Sequence, residues 1–143
     1  MPHTQHLLSI AMHGPQRADL SRSLVTEIAN RGCNILECRV HPVGDQFAAT
    51  LLVGGNWSSL GRLETALPAI ASELGLTAQC TRSAPRPDDT KMRPYAVEII
   101  APQEAGLLRD VLDFFRSHES AVVEIVAQHY DAAQTGAALA SLQ

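Results

Sequence analysis

Apolar residues along this chain change period several times, and each change marks an element. HLLSIAMHG at 6–14 is a short apolar run that reads as a strand. Leu20, Leu24 and Ile28 then recur at i, i+4 and i+8 with Val25 beside them, which predicts a helix stopped near Gly32. CNILECRV at 33–40 is strand-like, HPVGDQ at 41–46 carries Pro42 and Gly44 and reads as a turn, and FAATLLV at 47–53 predicts a third strand. Asn56 follows two glycines and is placed to cap a helix. In that helix Leu60, Leu63, Leu67, Ile70 and Leu74 are spaced 3, 4, 3, 4 along one face. Pro68 inside it predicts a kink or a split, and Gly75 its end. LTAQCTR at 76–82 reads as a fourth strand. The order β-α-β-β-α-β is the split βαβ, ferredoxin-like pattern of α+β domains.

SAPRPDDTKMRP at 83–94 holds three prolines, mixed charge and little apolar content, and reads as an interdomain linker. Then the order restarts. YAVEII at 95–100 reads as a strand whose Tyr95, Val97 and Ile99 share the core face. Leu107, Leu108, Val111, Leu112 and Phe115 mark a helix, AVVEIVAQHY at 121–130 a strand, DAAQTG at 131–136 a turn, and AALASLQ the opening of one more strand. The restart is a repeat. An offset of 87 residues lays GPQRADLSRSL from Gly14 on APQEAGLLRDV from Ala101 without a gap. It also carries Leu8 onto Tyr95, Leu24 onto Val111, Ile28 onto Phe115 and Glu37 onto Glu124.

The expected organisation is therefore a βαββαβ module over 1–82 and a second copy over 95–143, the two packed on each other across a shared seam. By analogy with the first copy, the second stops after βαββ and lacks on the order of 35 residues. A fragment of a longer protein is the favoured explanation, over a natural end completed by a partner. An incomplete module exposes part of its core face, and such patches drive association, so a homo-oligomer is expected.

Composition narrows the partners. A net charge of −4 with no basic run is a poor electrostatic match to nucleic acid, so direct DNA or RNA binding is not expected. No stretch reaches about 18 consecutive apolar residues, so no membrane span is expected. MPHTQHLL lacks a basic, then apolar, leader, and Cys33, Cys38 and Cys80 are odd in number. Reduced thiols in a cytoplasmic protein are the expectation. The six histidines are scattered; His3 and His6 alone make a weak metal pair, and none is expected to hold a metal. Neither G-x-S-x-G nor a Cys–His or paired-carboxylate arrangement is present, GGN at 54–56 is too short for a phosphate loop, and no catalytic residue or cofactor is expected.

The doubled βαββαβ order, the strand–PQxA–helix turn and RGCNILECRV after the first helix together resemble ACT domains. GDQFAATLLVGGNWSSL at 44–60, ETALP at 64–68 and the ARP-like SAPRPDD at 83–89 narrow the likeness to the tandem-ACT regulators of the glycine cleavage system. That resemblance implies a non-enzymatic regulator. It would bind a small ligand, plausibly glycine or another amino acid, and alter contact with a transcription-factor partner. It also implies a ligand site at the turn between the first strand and first helix, close to D-x-P-G-[IL]. A helix N-terminus there offers unpaired N–H groups and partial positive charge to a carboxylate, and glycine allows close approach.

This chain departs from that pattern. Gln16, Ala18 and Asp19 stand in the first copy, and Gln103, Ala105 and Gly106 in the second. Asp19 can satisfy the helix end itself and would repel a carboxylate, or is simply a good first-turn residue. The turn that keeps Gly106 is the better candidate. Gln16 and Gln103 are candidate polar contacts or plain turn residues; His13 ends the first strand beside the turn; Asn34 is a candidate contact or a strand-breaking residue after Gly32. Two other readings stand beside sensing. One is a degenerate ACT pair serving only for dimerisation or docking; the other is the regulatory portion of a larger amino-acid or folate enzyme.

Overall fold

The computed structural model describes residues 5–88, 91–133, 136 and 138–143. His3, Asp89 and Thr90 of the expected linker, and Gln134 and Thr135 of the expected 131–136 turn, lie outside them. The chain divides into two units, Met1–Asp88 and Asp89–Gln143.

The first unit is built as its periodicity predicts. Its elements are β1 (His6–Pro15), α1 (Leu20–Ala29), β2 (Asn34–Val43), β3 (Gln46–Gly55), α2 (Trp57–Leu74) and β4 (Thr77–Ser83). The antiparallel sheet runs β2-β3-β1-β4, the ferredoxin-like order. Alternation along β1 buries Leu8, Ile10, Met12 and Gly14 and exposes Ser9, Ala11 and His13. Phe47, Ala49, Leu51 and Val53 do the same on β3. Over this face lie Leu20, Leu24 and Ile28 of α1 and Leu60, Leu63, Leu67 and Ile70 of α2. Among the described residues, the other sheet face carries no helix of this unit.

Two expectations about this unit are corrected. The turn over 41–46 contracts to Gly44 and Asp45, because Pro42 and Val43 pair with Phe47 and Gln46 at the end of β2. Proline is compatible there since β2 is an edge strand. Pro68 does not split α2, which runs unbroken from Trp57 to Leu74. The ring is exposed, while Leu67, Ile70 and Ala71 on the opposite side hold both halves to the core. Asn56 caps α2 as expected: its side-chain oxygen accepts from Ser59 N at 2.7 Å, which is worth about 1 kcal/mol. Gly75 closes the helix in the left-handed region at φ 70°.

The second unit contains β5 (Ile99–Pro102), α3 (Leu107–Ser117), β6 (Ala127–Asp131) and β7 (Ala138–Leu142). Its sheet order β5-β7-β6 reproduces β1-β3-β2. Backbone bonds repeat as well. Gln16 N donates to Asp45 O at 3.3 Å and Gln103 N to Ala138 O at 3.0 Å; Ser23 N donates to Asp19 O and Asp110 N to Gly106 O, both at 2.9 Å. The 87-residue offset holds through β6, where Ala127 stands for Val40. Beyond the hairpin Leu142 stands for Ala49, so the second copy has six extra residues there.

The strands expected at 95–100 and 121–130 are shorter and later than expected. Partners on β7 reach only to Leu142 and Gln143, opposite Ile99, Ala127 and Val126. Residues 95–98 and 121–125 therefore have no ladder to join. Tyr95 and Val97, expected in the core, are exposed, and among the described residues of this unit only Ala140 and Leu142 are buried.

Candidate functional site

The β1–α1 turn is held at one end of the first sheet by three contacts. Gln16 N is tied to the β2–β3 hairpin through Asp45 O. Arg17 Nη2 donates to Glu73 O at 3.2 Å, placing a cation at the C-terminus of α2, where the helix dipole favours it. Gly14 packs so closely that a Cβ there would lie 2.7 Å from the Gly75 carbonyl oxygen.

Asp19 is the N-cap residue of α1, at φ 61° and ψ 15° in the left-handed region, and its side chain makes no capping hydrogen bond. The expectation that its carboxylate satisfies the helix end is thus corrected: a capping side chain works from an extended backbone, Asp19 is in the left-handed region instead, and the residue's contribution is its carbonyl, bonded to Ser23 N. No acidic residue sits in the first turn of α1.

The second turn has the same backbone with different chemistry. Gly106 takes the left-handed N-cap position of α3 at φ 87°. A Cβ there would lie 2.8 Å from Arg109 Nη2, so the guanidinium rests directly against the glycine. Arg109 also reaches Asp110 Oδ1, at 3.2 Å from Nη2, with both side chains mostly exposed. A carboxylate approaching this turn meets backbone N–H groups, a glycine and Arg109, but also Asp110, the first-turn acid that Arg109 pairs with; one approaching the first turn meets Asp19 at the N-cap.

The candidate residues do not all converge. Gln16 and Asp19 share one turn, and Gln103 and Gly106 the other; the Gln16 amide donates locally to Arg17 O at 3.1 Å. His13 lies at the same sheet end as Gln16 but on the face away from the helices, paired with Ala48 and Thr77. Asn34 opens β2 opposite Gly54, which in turn pairs with Leu7 at the start of β1. That is the far end of the sheet, roughly 30 Å along the strand from the β1–α1 turn. Arg109 is not among the residues the sequence nominates for the site. Its signal was present, because arginine recurs at the equivalent position, Arg22, in the first copy.

Among the described residues no cluster of three or more His, Cys, Asp or Glu could hold a metal, and no helix is long and apolar enough to cross a membrane. Cys33 is buried, Cys80 half-buried and Cys38 exposed, all as free thiols.

Residues 6–81 match the sequence model of the ACT domain. The chain belongs to the ACT domain family. The match spans β1 through most of β4, so the ferredoxin-like first unit is the ACT module, and the repeated turn and sheet order make the second unit a partial copy of it. Two curated relatives, both described as the glycine cleavage system transcriptional repressor, come from Escherichia coli (strain K12) and Shigella flexneri. Each is 25% identical over 140 residues, covering 98% of this chain and 74% of the relative. The crystal structure of a candidate glycine cleavage system transcriptional repressor superimposes with a TM-score of 0.71 at 22% identity, over 97% of this chain and 79% of the other. An unknown protein from Galdieria sulphuraria gives 0.67 at 17% identity, over 96% and 79%. Both are likenesses of fold.

Proposed function

We propose that this protein is a non-catalytic cytoplasmic regulator that senses a small amino acid, glycine first among candidates, and passes binding on to a transcription-factor partner of the glycine cleavage system. The reading is carried by one observation: likeness to repressors of that name runs along 98% of the chain, through both copies of the module. The physical mechanism asks little of the fold. A ligand that binds one conformation better than another shifts the population by no more than its differential affinity, and the partner reads the shift.

The β5–α3 turn is the site this reading favours. Gly106 brings no side chain to the α3 N-terminus, and Arg109, paired with Asp110 of the same turn, is the cation for which a ligand carboxylate would compete. Isothermal titration with glycine and with serine tests it. Saturable heat at micromolar to millimolar ligand, lost in Arg109→Ala, is the expected result; no heat and no thermal shift at millimolar amino acid would overturn sensing.

Asp19 supports a second reading for the first turn, in which that module serves as a docking scaffold without a ligand. Asp19→Gly separates the two: a gained second binding event shows that only the carboxylate keeps the first turn empty.

A further inference from the structure

The helix-free face of the first sheet is polar where β1, β2 and β3 lie side by side. Ser9 pairs with Leu52 and Leu52 with Glu37; in the next row Thr50 pairs with Arg39. Alternation turns Ser9, Thr50, Glu37 and Arg39 to this one face, with Glu37 and Arg39 about 7 Å apart along β2. The segment that follows β4 crosses the same face. β4 and β2 are the two edges of the sheet, three strand spacings or about 14 Å apart. Arg86 nevertheless brings Nη2 to 3.8 Å from Glu37 Oε2. Between this segment and the sheet lies an open cleft of about 260 Å³, wholly within the first unit. Its polar lining is Ser9, Glu37, Arg39, Thr50, Ser83 and Arg86. The volume falls below the roughly 300–1,000 Å³ of sites for drug-sized ligands, so the cleft suits a small metabolite.

We propose that this cleft binds an amino dicarboxylate, an amino acid of the aspartate or glutamate type. The charged lining is two guanidiniums and one carboxylate, and such a ligand carries the complement, two carboxylates and one ammonium. Arg39 and Arg86 take one carboxylate each through paired N–H groups, and Glu37 takes the ammonium. The three hydroxyls donate to the remaining carboxylate oxygens. Selectivity follows from what a wrong ligand leaves unmatched. A dicarboxylate without an amine faces Glu37 with like charge, and glycine leaves one guanidinium without a carboxylate. The Glu37–Arg86 pair is mostly exposed on both sides, so it is weakly held and both partners are available to a ligand. This site lies outside the β5–α3 turn and does not depend on glycine binding there.

The test is an NMR titration of the 15N-labelled 143-residue protein with L-aspartate and, in parallel, with succinate, which has the two carboxylates and no amine. Saturable shifts at the amides of Ser9, Glu37–Arg39, Ser83 and Arg86 are expected with aspartate, and succinate should bind about tenfold more weakly or worse. Arg39→Ala and Arg86→Ala should each weaken aspartate by about tenfold or more, since each removes a charged hydrogen-bond partner. Glu37→Gln should abolish the preference for aspartate over succinate. Arg22→Ala, on α1 across the sheet, leaves aspartate binding unchanged. All four side chains are exposed, and the same spectra report whether each variant is folded. No saturable shift at millimolar aspartate overturns the proposal. So do equal affinities for aspartate and succinate in the wild type, which would mark general ion screening, and aspartate shifts that Arg86→Ala leaves intact. Glycine sensing is read at Gln103–Arg109, so either site can fail without the other.

Discussion

Asp19 and Gly106 occupy one backbone position twice, and the comparison explains both. The left-handed region costs an ordinary residue roughly 1–2 kcal/mol, costs glycine nothing, and is tolerated best by Asp and Asn. Asp19→Val should therefore lower stability by about 1–2 kcal/mol in urea unfolding, while Asp19→Gly leaves it unchanged or raises it. Gly14 and Ala101 are a second such pair. The Gly75 carbonyl crowds Gly14, whereas among the described residues Ala101 faces no equivalent of α2 in its unit. Gly14→Ala should cost about 1–3 kcal/mol through overpacking. Cys33 gives a pH dependence. Burial pushes its thiol above the ordinary 9.0, against the pull of Arg62 and Arg31. Cys80 is raised as well, by burial first and then by Glu64. A thiol that stays neutral in the folded state and ionises in the unfolded one contributes stability below pH 9, lost as pH rises through the folded value. The thermal midpoint should fall further between pH 8 and pH 10 in the wild type than in Cys33→Ala; equal falls would contradict this.

Elements were legible where local chemistry decides them. The 3, 4, 3, 4 leucine stripe, the Asn56 cap and the Gly75 stop all describe α2 as it stands. What the sequence does not reveal is how packing overrides a local breaker. Pro68 removes one backbone bond, yet the apolar stripe on the opposite face keeps the helix continuous. Pro68→Ala should thus raise stability by about 1–3 kcal/mol, measured by urea unfolding, since it restores a donor without touching the core. Strand ends were illegible for a different reason. A strand exists only opposite a partner, so apolar residues such as Val122 and Val123 remain outside β6 where β7 supplies no ladder. The candidate site was legible in part. Its turn and Gly106 stand out in the repeat, but the separation of Asn34 from that turn depends on strand direction, which no local motif encodes.

At the scale of the molecule, the two units share a topology and differ in burial. Nearly all buried apolar residues belong to the first unit. Amides of β6 and β7 should accordingly exchange with solvent faster than those of β1 and β3, by orders of magnitude, in native-state hydrogen exchange. Amino-acid sensing requires the second unit's turn to receive its ligand although few of that unit's residues are buried. Glycine titration of the 15N-labelled protein, followed residue by residue in NMR spectra, tests that most directly. Saturable shifts centred on the amides of Gln103–Arg109 are the predicted result. Spectra that do not change at millimolar glycine, or shifts confined to residues away from that turn, would contradict it.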